Sequence, residues 1–386
     1  MVDADGSGDT PAVIIDNGSG MVKAGFTGEE APRDVFPSIV GYPKTASALQ
    51  GVSQKDHYIG EEAIAKKGVL NIKYPIAAGK VEDWSDMEKV WNHCFYNVLR
   101  VTPNEAKGVL LTEAPLQPKE NREKMAEIMF ETFQVQNFYV AIQAVMSLYS
   151  AGRTTGLVVD SGDGVSHTVP VYQGYSIPHA IKRIDVAGRV LTGFVKTLIQ
   201  EHMGREMNSA SEMEVVRDIK ETLCYVCETR EQYDEQAAAA TASSSLDSNY
   251  TLPDKEVVVV KGMVRITGAE LLFQPALNGR TNDALDVITY KSINESDLDV
   301  RRDLAKNIIL SGGTTMFDGL ADRLKNEVTG ALPAGNDVRV VADAARKYSV
   351  WRGASTFTSL STFENSWVTA AEFEELGPSI LQRKCA

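Results

Sequence analysis

D-S-G-D-G at residues 160–164 follows the apolar run 156–159, and the same order of elements occurs near the start of the chain. There, the apolar run 12–15 leads into D-N-G-S-G at residues 16–20, so the first aspartates of the two motifs lie 144 positions apart. A β-branched run followed by an aspartate and alternating glycines is typical of a strand that enters a tight hairpin turn. Because the pattern occurs twice, we infer a duplicated unit built around these two turns.

The two turns have the chemistry of a phosphate site. Glycines let the backbone N–H groups line a concave surface, which binds phosphate oxygens. One such motif alone is typical of an ordinary β-turn, whereas two motifs after matched strands favour a pair of turns that holds a polyphosphate from both sides.

The two aspartates point to a cation. A carboxylate is repelled by a phosphate by about 4 kcal/mol at a separation of about 4 Å in an effective dielectric of roughly 20. Asp16 and Asp160 therefore predict a divalent cation between the charges. Lys23, on the strand predicted over 21–26, is placed to reach phosphate as a mobile point charge.

Bulk properties limit the class of protein. A chain of 386 residues is longer than a domain with a single hydrophobic core usually is, which predicts two lobes of roughly 150–200 residues each. The net charge of −13 argues against nucleic acid and anionic membranes as partners. Residues 1–10 lack the apolar core of a signal or transit peptide, and no apolar run approaches membrane-spanning length. Four cysteines do not make a disulfide framework, so we expect a reducing, cytosolic compartment.

Hydrophobic periodicity predicts helices over 84–99, 121–133 and 138–150. The third predicted helix carries Gln143. A buried amide on a helix is usually a packing group, and His167, on the strand that leaves the second turn, has the same ordinary interpretation.

Two later motifs have weaker signals. A helical run over 215–229 contains Cys224 and Cys227, and a single C-x-x-C pair is a weak zinc signal, so helix packing is the favoured interpretation. S-G-G-T-T at 311–315 is a third glycine turn, predicted to cap a helix over 316–328. A helix start of this kind receives a nucleoside or its phosphates in some proteins and is a plain N-cap in others.

Taken together, these motifs make the sequence resemble the actin family. The likeness runs nearly end to end, and its segments include D-N-G-S-G-M-V-K-A-G-F at 16–26, L-L-T-E-A-P-L at 110–116, Y-V-A-I-Q-A-V at 139–145, S-G-G-T-T-M-F at 311–317 and G-P-S-I-L-Q-R-K-C at 377–385. Several contiguous matches in the right order are far more specific than any short motif.

The resemblance implies an α/β fold with two lobes, of the type that actin shares with heat-shock ATPases and sugar kinases. Duplicated mixed-sheet α/β domains, each with a five-stranded sheet, would surround a nucleotide cleft. The implied subdomains are, in order, 1–37 with 75–150 and 349–386; 38–74; 151–186 with 281–348; and 187–280.

The resemblance also implies an ATP or ADP site with Mg²⁺ or Ca²⁺. Residues that match the phosphate-binding positions are Gly18, Ser19, Gly20, Met21 and Lys23 on one side, and Asp160, Gly162, Asp163, Gly164 and Val165 on the other. Residues that match the nucleoside pocket are Gly188, Arg217, Lys220, Glu221, Gly312, Gly313, Thr314, Met316, Phe317 and Lys347. Asp16 and Asp160 would reach the metal through water, and Asp163 would lie near the ribose.

Gln143 and His167 match the pair that orients the attacking water and its proton path in the family, so the resemblance gives both a catalytic role beside Asp16 and Asp160. The implied reaction is slow, Mg²⁺-dependent hydrolysis of ATP to ADP and phosphate. Catalysis would consist of positioning and charge neutralisation, with a water held in line by Gln143 as the control point.

The departures from the family pattern lie away from this pocket. Ala78 replaces a histidine that is methylated in many actins, and the tip loop at 45–53 lacks the usual methionines. The segment 277–283, which matches the plug between strands, is more polar than usual. Ser366 and Arg352 replace apolar residues in the cleft where many actin-binding proteins dock.

Three functions of different classes follow. The favoured one is a filament-forming ATPase of the cytoplasmic cytoskeleton, and the alternative is a non-filamentous subunit of a chromatin remodeller or ciliary dynein arm, in the nucleus or axoneme, that uses ATP structurally. A sugar kinase or chaperone ATPase is disfavoured because no separate substrate domain is present. The implied partners are further copies of the chain, actin-binding proteins near Tyr149, Thr154 and Ser366, and myosin or dynein-arm subunits, with no nucleic acid and no membrane insertion.

Overall fold

The computed structural model describes residues 10–44 and 55–385. The chain divides into two compact units, which we call unit 1 (Met1–Arg153 with Tyr348–Ala386) and unit 2 (Thr154–Lys347). The tip loop predicted at 45–53 lies outside the described residues, as do residues 1–9 of the N-terminal segment. The finer division into four subdomains stays a prediction.

The described residues form nineteen strands. In chain order they are β1 Val13–Asn17, β2 Met21–Phe26, β3 Asp34–Pro37, β4 Val40–Pro43, β5 Tyr58–Ile59, β6 Leu70–Lys73, β7 Ile76–Ala77, β8 Lys80–Val81, β9 Val109–Glu113, β10 Asn137–Ile142, β11 Gly156–Ser161, β12 Ser166–Tyr172, β13 Tyr175–Ser176, β14 Lys182–Ile184, β15 Ser248–Thr251, β16 Val257–Val260, β17 Ile308–Ser311, β18 Val340–Val341 and β19 Val368–Thr369.

The α-helices of the same residues are α1 Glu61–Ala65, α2 Trp84–Asn92, α3 Lys119–Glu127, α4 Gln143–Ser150, α5 Gly188–Met203, α6 Ala210–Leu223, α7 Arg230–Ala242, α8 Gly262–Glu270, α9 Leu285–Glu295, α10 Leu298–Lys306, α11 Leu320–Ala331, α12 Ser349–Thr358, α13 Ala370–Leu376 and α14 Ile380–Lys384. Two of them continue in a wider π-type helix, α2 over His93–Leu99 and α3 over Ile128–Thr132. Each of these two regions is therefore close to the helix that the periodicity predicts.

Unit 1 is built on a mixed sheet in the order β19-β10-β9-β1-β2-β3. β1 and β2 form the predicted hairpin, and β1 runs parallel to β9, which runs parallel to β10. The inner strands are apolar and buried on both faces, as expected for parallel strands covered by helices. On one face, α12 lies against β1, where the Trp351 indole N–H donates to the Ile14 carbonyl oxygen at 3.2 Å.

Unit 2 repeats this arrangement. Its strands run in the order β13-β12-β11-β17-β18, and β14 adds to β12. The hairpin β11–β12 occupies the place of β1–β2, and β17 lies parallel to β11 as β9 lies parallel to β1. Apolar residues of α5, α8 and α11 pack with β11 and β17 in one core. The predicted duplication is thereby confirmed, although each sheet has one short strand more than the five that the resemblance implies, because short edge segments add to the matched set of five.

The predicted helix over 138–150 is wrong in its first part. Residues 138–142 belong to β10, and α4 begins at Gln143. The run F-Y-V-A-I is aromatic and β-branched, and it lies buried between β9 and β19. A short, continuously apolar run of this kind has no period that separates a buried strand from a buried helix.

The predicted helix over 215–229 is also too long. α6 ends at Leu223, and Cys224 and Cys227 lie in an extended segment. The main-chain N–H of Tyr225 donates to Arg265, and that of Val226 to Asp318, so this segment is held by neighbours and not by a helix. Both thiols are buried, as expected for packing groups, and burial raises their pKa to about 12 for Cys224 and about 11 for Cys227.

The helix predicted over 316–328 begins later. S-G-G-T-T is followed by one short 3₁₀ turn, Gly313–Met316, and α11 starts only after Gly319. Gly319 has a φ of +79°, and a Cβ there would lie 2.0 Å from the Val226 carbonyl oxygen, so the chain can turn into α11 only at a glycine. The third glycine turn therefore does not cap the α-helix.

No helix within the described ranges combines the length and the apolar character needed to cross a membrane.

Candidate functional site

The first glycine turn joins β1 to β2. A Cβ on Gly18 would lie 2.5 Å from the Met21 carbonyl oxygen, so only glycine allows this approach. Ser19 is almost fully buried, and its hydroxyl accepts a hydrogen bond from the Gly79 N–H at 3.1 Å. The N–H groups of Gly18 and Gly20 donate to no other residue that the structure describes. The turn thus presents main-chain donors where a phosphate was predicted.

Asp16, at the end of β1, is only 1% exposed. Its Oδ2 pairs with Lys23 Nζ at 2.7 Å, and its Oδ1 accepts from the Thr112 hydroxyl at 2.6 Å. Gln143 Nε2 donates to the same Oδ1 at 3.2 Å. The buried carboxylate is therefore compensated by one cation and two neutral donors, which is what a buried charge requires.

Gln143 is the first residue of α4, directly after β10. Its amide nitrogen faces three oxygens, namely Asp16 Oδ1 at 3.2 Å, the Asn17 carbonyl at 3.2 Å and Thr112 Oγ1 at 3.4 Å. The strand that sequence periodicity missed is what brings this amide to Asp16, because β10 and β1 both flank β9 in the sheet.

The second glycine turn joins β11 to β12 and is tied to other predicted residues. The Gly162 carbonyl accepts from the Gly188 N–H at 3.0 Å and from the Thr314 hydroxyl at 2.6 Å. The N–H groups of Asp163 and Gly164 donate to no residue within 10–44 and 55–385. Val165, which completes the turn, is buried. Unit 2 therefore gathers part of its predicted set around one turn.

Asp160 lies beside the third glycine turn. In the sheet it is level with His167 on β12 and with Ser311 on β17. Gly312 has a φ of +89°, and a Cβ there would lie 2.3 Å from the Ser161 carbonyl oxygen and 3.0 Å from Asp160 Oδ1. Gly313 follows at the start of the short 3₁₀ turn that carries Thr314. The close approach to Asp160 explains why glycine is needed at position 312.

Lys220 extends from α6 to the start of α5. Its Nζ donates to the Gly188 carbonyl at 3.3 Å and to the Thr192 hydroxyl at 3.1 Å, and it lies 3.6 Å from Glu221. Burial lowers the pKa of the Lys220 ammonium, and Glu221 opposes this effect. The adjacent Arg189 donates to the Asp163 carboxylate through Nε at 3.1 Å and Nη2 at 2.8 Å.

Other predicted residues of the nucleoside pocket are less closely tied to this group. Arg217 pairs with Glu214 on the surface of α6. Phe317 belongs to the core of unit 2, and Met316 is half-buried. Lys347 is exposed and follows Arg346, whose carbonyl accepts from the Gly312 N–H at 3.3 Å.

His167 is 2% exposed on β12. Burial, and after it the charge of Arg183 on the neighbouring strand, lowers the pKa of this imidazole to about 4. The side chain is therefore neutral at pH 7.

The predicted partner-binding residues are placed as follows. Tyr149 is half-buried at the end of α4, with its ring 5.0 Å from that of Phe357, and Ser366 is half-buried before Trp367. Thr154, in unit 2, is exposed.

The sequence reasoning missed three polar residues that contact predicted ones, which are Thr112 in unit 1 and Arg189 and Thr192 in unit 2. For Thr112 a signal was present. Parallel strands end at the same edge of a sheet, so a threonine at the end of β9 is level with an aspartate at the end of β1. No comparable signal in the sequence identifies Arg189 or Thr192.

The donor set fits the predicted cation. Asp16 and Asp160 supply the hard carboxylate oxygens that Mg²⁺ and Ca²⁺ prefer. Both oxygens of Asp16 already accept hydrogen bonds from protein groups, which suits contact through water better than direct coordination.

The family model described as Actin matches residues 7–386, nearly the whole chain. The fold of this family is a two-lobed, nucleotide-binding one, and the duplicated mixed sheets described above agree with it. On both grounds, the chain belongs to the actin family.

Proposed function

We propose that this actin-family chain binds ATP together with Mg²⁺, hydrolyses it slowly to ADP and phosphate, and assembles with copies of itself into cytoskeletal filaments of the cytoplasm. Family membership supports an actin-type, nucleotide-binding protein in general. The residues described above support the finer parts of the proposal.

The observation that carries the proposal is the occurrence of two equivalent glycine turns with unsatisfied donors. In each unit the turn follows the strand whose next-to-last residue is Asp16 or Asp160. The main-chain N–H groups of Gly18 and Gly20 in the first turn, and of Asp163 and Gly164 in the second, have no partner among the described residues. Each turn would supply donors to the phosphates of ATP, through Gly18, Ser19, Gly20 and Met21 in the first and Asp163, Gly164 and Val165 in the second. Gly162, whose N–H donates to the Val165 carbonyl at 3.2 Å, would shape the second turn.

Charge at the phosphates would be balanced by Lys23 and by the metal ion. Lys23 is held by Asp16 at 2.7 Å, so its ammonium is already oriented at the first turn. Asp16 and Asp160 would hold Mg²⁺ or Ca²⁺ through water. When bound, the ion neutralises negative charge on the phosphate oxygens.

The nucleoside would be bound in unit 2. The third glycine turn, Gly188 and Lys220 are joined to the second turn by hydrogen bonds. Around them we place the remaining members of the proposed pocket, which are Arg217, Glu221, Gly312, Gly313, Met316, Phe317 and Lys347.

Hydrolysis would depend on the orientation of a water molecule. Phosphoryl transfer to water requires little covalent chemistry from the protein, so positioning dominates. Gln143 Oε1 makes no hydrogen bond within the described ranges, so it is available to accept a proton of the attacking water and to orient its lone pair. His167 is neutral at pH 7 and, with its pKa lowered to about 4, would relay a proton along the path from this water without keeping it.

A second candidate function is favoured by one specific feature. The segment 277–283 is largely exposed and carries Arg280, Asn282 and Asp283, of which Asp283 pairs with Lys291 at 2.6 Å. Desolvation of such groups in a filament contact costs free energy unless the neighbouring subunit pairs them. The alternative is therefore a subunit of a fixed complex, in the nucleus or an axoneme, that binds ATP without forming filaments.

Sedimentation tests the proposal. The purified protein is incubated with Mg²⁺-ATP and salt over a range of concentrations, released phosphate is measured, and the pellet is imaged. We expect filaments above a threshold concentration, together with phosphate release. Protein that binds ATP but stays in the supernatant at every concentration would contradict the filament function and favour the alternative.

A further inference from the structure

Thr112, at the end of β9, lies at the centre of the hydrogen bonds around Asp16. Its side chain is 1% exposed. The hydroxyl oxygen lies 2.6 Å from Asp16 Oδ1, 3.1 Å from the main-chain nitrogen of Asn17 and 3.4 Å from Gln143 Nε2. One buried hydroxyl thus contacts three groups on two other elements.

The chemistry of these groups fixes the direction of each hydrogen bond. A carboxylate only accepts, so the single hydroxyl proton of Thr112 points to Asp16. The lone pairs of the same oxygen then face two donors, the N–H of Asn17 and the amide of Gln143. The hydroxyl is therefore satisfied in only one arrangement.

The same argument fixes the amide of Gln143. The Asp16 carboxylate and the Asn17 carbonyl are pure acceptors, so the end of the amide near them must be the NH₂ group. Rotation of the amide by half a turn would bring Oε1 against both oxygens. The carbonyl oxygen of Gln143 is consequently directed away from Asp16 and Asn17.

We propose that Thr112 is a positioning residue, which holds the Gln143 amide so that Oε1 is presented to the attacking water. This inference rests on the proposed ATP hydrolysis. Removal of the hydroxyl would leave Asp16 Oδ1 and the Asn17 N–H short of a partner, and the amide would be free to compensate by moving toward them. The ion pair of Asp16 with Lys23 does not involve Thr112, so binding of ATP should change much less than its hydrolysis.

A purely structural role for Thr112 makes a different prediction. A buried threonine that only joins β9 to β1 would lower stability on substitution without separating turnover from binding. Thr289 provides the matched control, because it is 0% exposed and its hydroxyl donates to the Leu285 carbonyl within α9. Within the described residues, no hydrogen bond joins its side chain to a residue of the proposed site.

The test compares the parent with Thr112→Val, Thr112→Ser and Thr289→Val. Phosphate release is measured in single turnovers with Mg²⁺-ATP, and the Kd for ATP is measured separately. We expect Thr112→Val to slow release at least about tenfold, with the Kd changed by less than about threefold. Thr112→Ser, which keeps the hydroxyl, should release phosphate within about twofold of the parent rate, and Thr289→Val should match the parent. Should the valine variant not fold, Thr112→Ala replaces it with the same expectation.

The inference is overturned if Thr112→Val releases phosphate at the parent rate, if serine fails to restore the rate, or if the Kd rises as much as the rate falls. A parent that neither binds nor hydrolyses ATP would instead refute the proposed function, and the Kd measurement on the parent detects that case independently.

Discussion

Asp16 is almost fully buried, yet the fold compensates its charge atom by atom. Lys23 neutralises one oxygen, while Thr112 and Gln143 donate to the other. A buried ion with both oxygens engaged is costly to disturb, since each lost partner leaves an unpaired polar group. The position of the Gln143 side chain is therefore set by its hydrogen bond to Asp16 as well as by helix α4.

Gln143→Ala tests the role of this amide. We expect phosphate release to slow severalfold while the ATP binding free energy stays within about 1 kcal/mol of the parent, since the amide would contact the water and not the nucleotide. Single-turnover release and equilibrium binding measure the two quantities. A variant that hydrolyses ATP at the parent rate excludes Gln143 from the reaction.

The burial of Asp286, in the first turn of α9, leads to a prediction about how the stability of the protein depends on pH. Burial raises the pKa of its carboxyl to about 6, and its Oδ1 is buried with no hydrogen-bond partner among the described residues. The folded protein therefore holds this proton more tightly than the unfolded chain, whose aspartate has a pKa of about 3.9. The contribution of this group to the free energy of unfolding is therefore fully present below about pH 4 and is lost as the pH rises through about 6.

We expect Asp286→Asn to be more stable than the parent by about 1–2 kcal/mol at pH 7, with the difference vanishing near pH 4. Chemical denaturation at several pH values measures it. Asp299→Asn, an exposed carboxylate in the first turn of α10, is the control and should show no such gain. Equal stability of Asp286→Asn and the parent from pH 4 to pH 7 would contradict the prediction.

At this scale, the sequence identified residue types but not their connections. Asp16, Lys23 and Gln143 were candidates from motifs and resemblance, and the structure brings these three together in unit 1. Thr112 was missed because it lies 96 positions from Asp16 along the chain, and their contact depends on β9 lying beside β1 in the sheet.

At the scale of elements, the hairpin β7–β8 contains a residue in an unfavourable conformation. Its two-residue turn consists of Ala78 and Gly79, with φ of +50° and +77°. Two positive φ values define a type I′ turn, in which asparagine followed by glycine is strongly preferred. Ala78 occupies the first of these two positions, and a residue with a Cβ is strained at this φ.

Ala78→Asn should therefore stabilise the protein by about 0.5–1 kcal/mol, because asparagine tolerates the left-handed region. Thermal unfolding measures the effect, and Ala77→Asn, one residue earlier on β7, is the matched control without a positive φ. If Ala78→Asn lost as much stability as the control, the prediction that Ala78 is strained would be wrong.

The elements that the sequence mispredicted share one physical cause. The run 138–142 and the segment 224–227 are apolar and buried, and hydrophobic periodicity cannot distinguish a buried strand or extended segment from a buried helix. A neighbour that is distant in sequence decides the conformation of each segment. β9 pairs with the run 138–142, and Asp318 and Arg265 hold the segment 224–227. The helix α2, which has one exposed face, was predicted well from its periodicity. The hairpins β1–β2 and β11–β12 were predicted from their glycine turns, although β1, β11 and β12 are largely buried.

At the scale of the whole molecule, the duplication was readable from the sequence because each copy keeps its own glycine turn. The strand orders β10-β9-β1-β2-β3 and β18-β17-β11-β12-β13 match position by position. The short additional strands β14 and β19 leave no comparable pattern, since strands of two or three residues carry too few positions for an alternation.

We predict weaker self-assembly than in conventional actin. An apolar plug stabilises a filament by burying surface worth about 25 cal/mol per Å², whereas the segment 277–283 presents polar groups that must be desolvated. Ser366 and Arg352 would likewise make the proposed docking surface more polar, so partners that insert an apolar helix there should bind less tightly. The critical concentration, measured by sedimentation at matched salt, should exceed that of conventional actin. Assembly at the same concentration, with normal affinity for such a partner, would show that these substitutions are compensated.

The most direct test of the account is the thermal unfolding midpoint with and without saturating Mg²⁺-ATP, in the parent, Asp160→Ala and the exposed control Asp299→Ala. A ligand at about 1,000 times its Kd stabilises the folded state by about 4 kcal/mol. The account predicts a large ATP-dependent rise in the midpoint for the parent and the control, and the loss of most of that rise in Asp160→Ala. An unchanged midpoint in the parent, or the same rise in Asp160→Ala, would contradict it.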